Sequence, residues 1–541
     1  MTFRLRTIAA IVPITVLWAM PIAASLILFT AALAAPGAWT DAIDHPQLPG
    51  AALLSVWTGV ASTGLALAAA LVIVSGLFNS TGWRRLPSLA GAGLAMPHLA
   101  FAIGFGFLLM PSGFVARLLV GGEVPPQWVS TQDRHGFALI ACLALKETPF
   151  LAALIWGQLN RGDWAGRIRA GLRAAASLGH GARSAWLRII LPQLLPRLAW
   201  PLLVVFAYAA SVVDLSLVIG PTQPPTLAVV VWRDLNAAEP EIVARGAAGA
   251  ALLTALIAVV ASALWVAVAT TASLRRRFFT AGPSAATLPR WPATGLLLML
   301  VCVYAAVLAS LAIMSISARW PYPALWPTAL SLSRWTSLAS ALSPLLLSLS
   351  LAVASSATAL CLAVIWFEAI AERHDGLAIL AAGLALTLPA LVTAGGLYRA
   401  LLAVHLAGTL PGLFIAHLMP VLAYCLIVLK GPYRAFDPRL WAVARGLNCS
   451  RPRFWFAIKA RLLNAPLWIA AAIGFSVSLV QFVPAQLIAA GRYATLPMEA
   501  VNLASGGDRP LTATYALALI LPQALTFAIA ALFARPRWNA A

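Results

Sequence analysis

Three ionisable residues stand inside otherwise apolar stretches. Lys146 and Glu147 lie in the run 137–157, and Asp214 lies in the run 194–220. A charge at the centre of a bilayer costs at least about 2.5 to 3.5 kcal/mol unless it is paired or wetted, so such residues mark a translocation path or an intramembrane ion pair. At about 1.5 Å of rise per helical residue, Lys146 is about 14 Å from an external end at Phe137, and Asp214 is about 9 Å from one at Gly220. The two are therefore expected to meet. Proton- or sodium-coupled carriage uses groups of this kind, so one function open to the chain is a gradient-driven secondary transporter with Lys146, Glu147 and Asp214 as its coupling site. Enzymatic chemistry finds no support. The seven histidines are scattered without metal-ligand or catalytic spacing, so no catalytic residue and no metal site are expected. No G-x-x-x-x-G-K-[ST] loop occurs, so ATP hydrolysis by that route would have to reside in a separate subunit. Cys142, Cys302, Cys361, Cys425 and Cys449 imply no disulfide framework.

The elements that must carry these residues follow from hydropathy. The chain has 541 residues, 62% of them hydrophobic and 10% charged, with a mean hydropathy of +0.90. That balance is outside the range of soluble domains. A helix crosses the roughly 30 Å hydrocarbon layer with about 20 apolar residues. Runs of that length without any charge cover 7–40, 51–78, 86–116, 246–274, 291–318, 335–367, 376–398, 400–429, 462–491 and 511–534. With the two charge-bearing runs, the expectation is an all-α integral membrane protein of about twelve transmembrane helices. A β-barrel is excluded because these runs are apolar on every face rather than in alternation. The first run is longer than the apolar core of a signal peptide, so it is expected to stay as a helix. The formal net charge of +20 does not call for nucleic acid. With both termini in the cytoplasm, most of the Lys and Arg fall on the cytoplasmic side and face few acids, which is the positive-inside pattern of a multi-pass bacterial inner-membrane protein.

The chain reads as two sets of six spans. Arg275, Arg276 and Arg277 and the Ala/Gly/Ser/Pro-rich stretch after them form an expected cytoplasmic linker, 275–290, between a first half, 1–274, and a second half, 291–541. Each half has its longest loop, strongly basic, between its fourth and fifth spans, at 160–192 and 431–461. Phe206 and Thr226-Leu227 match Phe475 and Thr495-Leu496 at one offset of 269, while Ser55 and Pro97 match Ser348 and Pro389 at 293 and 292. The longer external loop 111–134 absorbs the difference. Internal duplication of this kind makes each half the other's pseudo-symmetric partner.

The first long loop reads Arg173, Ala174, Ala175, Ala176, Ser177, Leu178, Gly179, then Trp186, Ile189, Leu191 and Pro192. This spacing resembles the EAA loop of ABC-importer permeases, with Arg173 where the family has Glu. The second loop carries the same frame in Ala442, Ala444, Leu447, Trp455 and Ile458, with Asn448 for the Gly and Arg461 for the Pro. Asn tolerates the left-handed backbone that the Gly supplies. The resemblance, closest to fused permeases of the thiamine, ferric-iron and sulfate type, implies two homologous six-helix type I importer halves. It also implies that each loop forms a coupling helix seated on a cytoplasmic ABC ATPase dimer. Arg173, Ala174, Ala175, Leu178, Gly179, Pro192, Ala442, Ala444, Leu447 and Asn448 would make that coupling surface. A periplasmic substrate-binding protein would deliver the solute, and ATP and Mg would be used by the ATPase, with no cofactor on this chain. Membrane lipid is the other partner, since basic loops also suit anionic headgroups.

Overall fold

The computed structural model describes residues 2–78, 80–120, 122–273, 276–277, 291–340 and 342–534. Among them the chain is helical nearly throughout, with one antiparallel strand pair, Ser317–Arg319 with Ala329–Leu330. Among the described residues nine helices are long and apolar enough to cross a membrane, and up to twelve if each of three bent pairs is one span. Each apolar run singled out above coincides with one of these twelve. The bends, 90° at 34–35, 103° at 388–389 and 80° at Leu463, include two at prolines. Pro36 opens a helix and Pro389 caps one, positions where the missing N–H leaves no helical bond unmade. The expected linker 275–290 lies outside the described residues except for 276 and 277.

The helices gather into two compact units that do not follow the two sequence halves. One reaches to Asp41 and adds Arg233–Ala248 and the chain from Ser333 on, while the other takes Ala42–Trp232 and Gly249–Leu332. Each unit thus contains the first helix of the opposite half. Thr2–Leu33 packs on Ala390–Ala403, where Gly396 lies so close to the carbonyl of Ala24 that any side chain would collide with it. In the other unit Trp291–Ser315 packs on Leu48–Leu77 and His98–Leu109. A Cβ on Gly104 there would stand 2.7 Å from Val307, and Ser310 Oγ donates to the Gly104 carbonyl at 3.1 Å. Lipid tails are as apolar as leucine, so close backbone approach at small residues, rather than hydrophobic exclusion, drives these contacts. Gly104 and Gly396 are 292 residues apart, as are Pro97 and Pro389.

Both units also tie a short helix to a long one through the same bond. Ser55 Oγ accepts from Leu227 N–H at 2.9 Å, and Ser348 Oγ accepts from Leu496 N–H at 2.8 Å. These bonds anchor the proline-rich turn after Asp214 and the turn at 491–497. Ser55→Ala and Ser348→Ala are each expected to lower stability by about 1 to 2 kcal/mol, since each leaves a buried N–H unpaired. Thermal unfolding in detergent measures this, and a large effect at one serine with none at the other would break the equivalence.

Candidate functional site

The two long loops share one backbone frame. Helix Gly162–Ser177 ends at Gly179, which has φ +80°. There His180 N–H donates to Ala175 O at 2.9 Å and Gly179 N–H to Ala176 O at 3.1 Å. Helix Arg439–Gly446 ends at Asn448, which has φ +56°. There Cys449 N–H donates to Ala444 O and Asn448 N–H to Arg445 O, both at 3.0 Å. Each atom pair in one loop maps on the other at an offset of 269. This is the left-handed stop that satisfies the last helical carbonyls, made once with Gly and once with Asn, the residue that tolerates it best after Gly. Beyond the stop, Ala182–Ala185 and Arg451–Phe454 run into single π-helical turns, Trp186–Ile190 and Trp455–Lys459. Such turns are frequent at functional sites. Pro192 lies in the first turn of Leu191–Ser211 and is half-buried.

The side chains repeat as well. Ala175 and Ala444 are buried and hold the helices down. Arg173, Ala174, Gly179, Ala442 and Asn448 are exposed. Leu178 and Leu447 are 70% and 79% exposed, an apolar knob at the equivalent place of each basic loop, and the second loop also exposes Val443 and Phe456. An exposed leucine alone is unremarkable, but two at equivalent tips form a repeated surface.

Each loop is rooted at the second span of its own sequence half, by different chemistry. Trp186 is buried beside Phe78, with ring centroids 5.5 Å apart, and Phe78 in turn meets Trp83 edge-on at 5.1 Å. In the other unit Trp455 Nε1 donates to Tyr433 Oη at 2.9 Å, and Tyr433 donates to the Glu368 carboxylate. Lys459 Nζ reaches the same oxygen at 2.7 Å and lies 4.3 Å from the Tyr433 ring centroid. One root is aromatic and the other is a charge-assisted network. Arg434 adds a fork on Asp375, with Nε at 2.6 Å and Nη2 at 3.0 Å. Sequence reading missed these residues because it scored Lys459 and Arg434 only as positive-inside charges, and Glu368 is 91 residues from Lys459.

The intramembrane charges are arranged otherwise than expected. Lys146 is buried and donates to the carbonyls of Gly93 at 2.9 Å and Met96 at 2.6 Å, with the rings of Phe101 and Tyr304 at 5.7 and 5.4 Å. Glu147 Oε1 is bonded to His98 Nε2 at 3.0 Å. Among the described residues Lys146 and Asp214 form no ion pair. Depth along a span does not set the direction a side chain faces. Helix Leu86–Leu94 stops before the bend at Pro97, which frees carbonyls, and the ammonium takes them. Asp214 instead opens the short helix Asp214–Val218 after a break at 212–213, where a carboxylate suits the positive end of a helix.

Up to twelve apolar helices among the described residues, two compact units and a pair of like-framed loops are the build of a polytopic membrane protein. No family model matches the chain. It is 30% identical over 527 residues, covering 96% of this chain and 95% of the relative, to the inner membrane ABC transporter permease protein YnjC of Escherichia coli (strain K12). The chain belongs to the ABC transporter permeases, and it spans its relative as a single polypeptide.

Proposed function

We propose that this chain is the transmembrane permease subunit of an ABC importer of the bacterial inner membrane, with both termini in the cytoplasm. It forms the translocation path, and its two loops couple ATP hydrolysis in a cytoplasmic ABC ATPase dimer to uptake of a solute delivered by a periplasmic binding protein. The observation that carries this reading is the common frame of the loops, from the left-handed stops at Gly179 and Asn448 to the exposed Leu178 and Leu447. A symmetric dimer presents the same groove twice, and two like-framed knobs on one chain suit it. The two halves, 1–274 and 291–541, act as the duplicated partners. The matched bonds at Ser55 and Ser348 and the matched glycines Gly104 and Gly396 support that view. ATP and Mg stay with the partner.

Only a contact that differs between the ATPase's open and closed states can bias the path. The loops supply such contacts, and the Trp186–Phe78 and Trp455–Tyr433–Glu368 roots pass the motion to the second span of each half. The test is co-expression of the tagged chain with an ABC ATPase subunit from the same cells. The ATPase is expected to copurify, and solute uptake into membrane vesicles should require it. Reporter fusions after Phe533 and within 111–134 should give opposite signals. Uptake that persists without the ATPase, or equal reporter signals, would overturn the reading.

A further inference from the structure

We propose that the second half of the chain carries a binding site for a small neutral solute bearing hydroxyl or amide groups, built around His417, Ser478 and Gln481 where helix Asn464–Leu479 breaks before Val483–Ala489. All of these residues belong to one compact unit. His417, on the long helix Leu410–Arg434, is 2% exposed, and its Nδ1 lies 2.9 Å from Ser478 Oγ. Gln481, in the break itself, donates from Nε2 to the His417 carbonyl at 3.0 Å. These bonds orient the two side chains and leave the other end of each bare. His417 Nε2 and Gln481 Oε1 are buried without a hydrogen-bond partner among the described residues, as are Ser476 Oγ and Gln486 Oε1 on the same two helices. Each unpaired buried polar group costs about 1 to 3 kcal/mol. A membrane interior offers no bulk water to relieve the debt.

The first half shows that the fold does not need this polarity. At the offset of 269, Ser476, Ser478, Gln481 and Gln486 correspond to Ala207, Ala209, Val212 and Leu217. There the same broken helix, Leu191–Ser211 followed by Asp214–Val218, forms with apolar residues at all four places. His417 stands three residues before the in-helix Pro420, just as Lys146 precedes Pro149. The Lys146 ammonium is held by two carbonyls, whereas the outer nitrogen of His417 has no partner. The polar set is thus an addition confined to one half.

Its chemistry selects the solute class. The group contains no carboxylate, Lys or Arg, so a charged solute would be buried without a counter-charge. The glutamine oxygens need donors, and His417 Nε2 can donate or accept according to its tautomer. Hydroxyl and amide groups supply both. As a step in transport the site rests on the permease reading, but its occupancy does not require the ATPase.

The experiment uses the purified full-length chain in detergent. Its unfolding midpoint is titrated with glucose, xylitol and acetamide, and in parallel with choline chloride and sodium gluconate. The reference is the variant Ser476→Ala, Ser478→Ala, Gln481→Val, Gln486→Leu, which copies the first half, with the single change Gln481→Met beside it. Generic solute effects on stability are common to all three proteins. The unaltered chain should show a saturable rise with at least one neutral probe, weakened at least tenfold in both variants. Without solute the four-residue variant loses the bonds of Ser478 and Gln481 to His417 along with the unpaired groups, so its lower midpoint is a baseline and only the solute-dependent rise is compared. No saturable rise with any neutral probe, an equal rise in the variants, or a rise only with the ions would overturn the proposal. Copurification of the ATPase from the same cells reports on the permease reading separately.

Discussion

Replacing Leu178 and Leu447 together with aspartate is expected to abolish copurification of the ATPase while leaving the chain inserted at normal level. Both leucines stand more than two-thirds exposed at the loop tips, so neither contributes to the core of its unit and the fold should tolerate the change. Full burial of a leucine against a partner is worth about 1.5 to 3 kcal/mol, and every 1.4 kcal/mol is tenfold in affinity. Each single substitution should therefore weaken association by about 10- to 100-fold. Under the proposed coupling each loop tip seats in its own copy of the groove, so the two effects should multiply. Binding titration of the purified ATPase against the detergent-solubilised chain measures this. Normal affinity in the double variant would remove the loops from the coupling surface.

The second large effect is expected at Lys146. Lys146→Met removes the ammonium that satisfies the carbonyls of Gly93 and Met96. Two buried acceptors are then orphaned, at about 1 to 3 kcal/mol each. A total of about 2 to 6 kcal/mol should appear as a fall of several degrees in the unfolding midpoint, with lowered membrane content. Asp214→Ala should act independently, so the double variant should equal the sum of the singles within about 0.5 kcal/mol. A double variant markedly better than that sum would show that the two charges are coupled after all, and would reinstate an intramembrane pair between them.

How far this site could be read from the amino acids depended on how local its causes are. The left-handed stop at Asn448 was legible because the preference of Asn and Gly for positive φ belongs to the residue itself. The equivalence of the loops was legible from the spacing of Ala444, Leu447 and Trp455 against Ala175, Leu178 and Trp186. Lys146 was legible as a buried charge but not in its partners. The carbonyls it meets lie at the end of helix Leu86–Leu94 and in the turn just beyond it, and backbone acceptors leave no mark in composition.

The sequence by itself determined that this is a helical membrane protein of about twelve spans, with two basic loops at matching places. Those outcomes depend on the transfer of apolar side chains into lipid, on helical hydrogen bonds closed within each segment and on the conformational range of single residues, all of which are local quantities. Tertiary structure decided what the halves exchange and what the buried polar groups meet. The first helix of each half packs into the unit that holds most of the other, because small residues such as Gly104 and Gly396 admit a foreign backbone at close range. Contacts of that kind depend on the shape of two distant surfaces at once, and no window along one segment contains them. The same holds for the network of Glu368, Tyr433, Trp455 and Lys459 and for the bare polar ends of His417 and Gln481. Their partners, or the lack of them, exist only once four separate stretches of chain have been brought side by side.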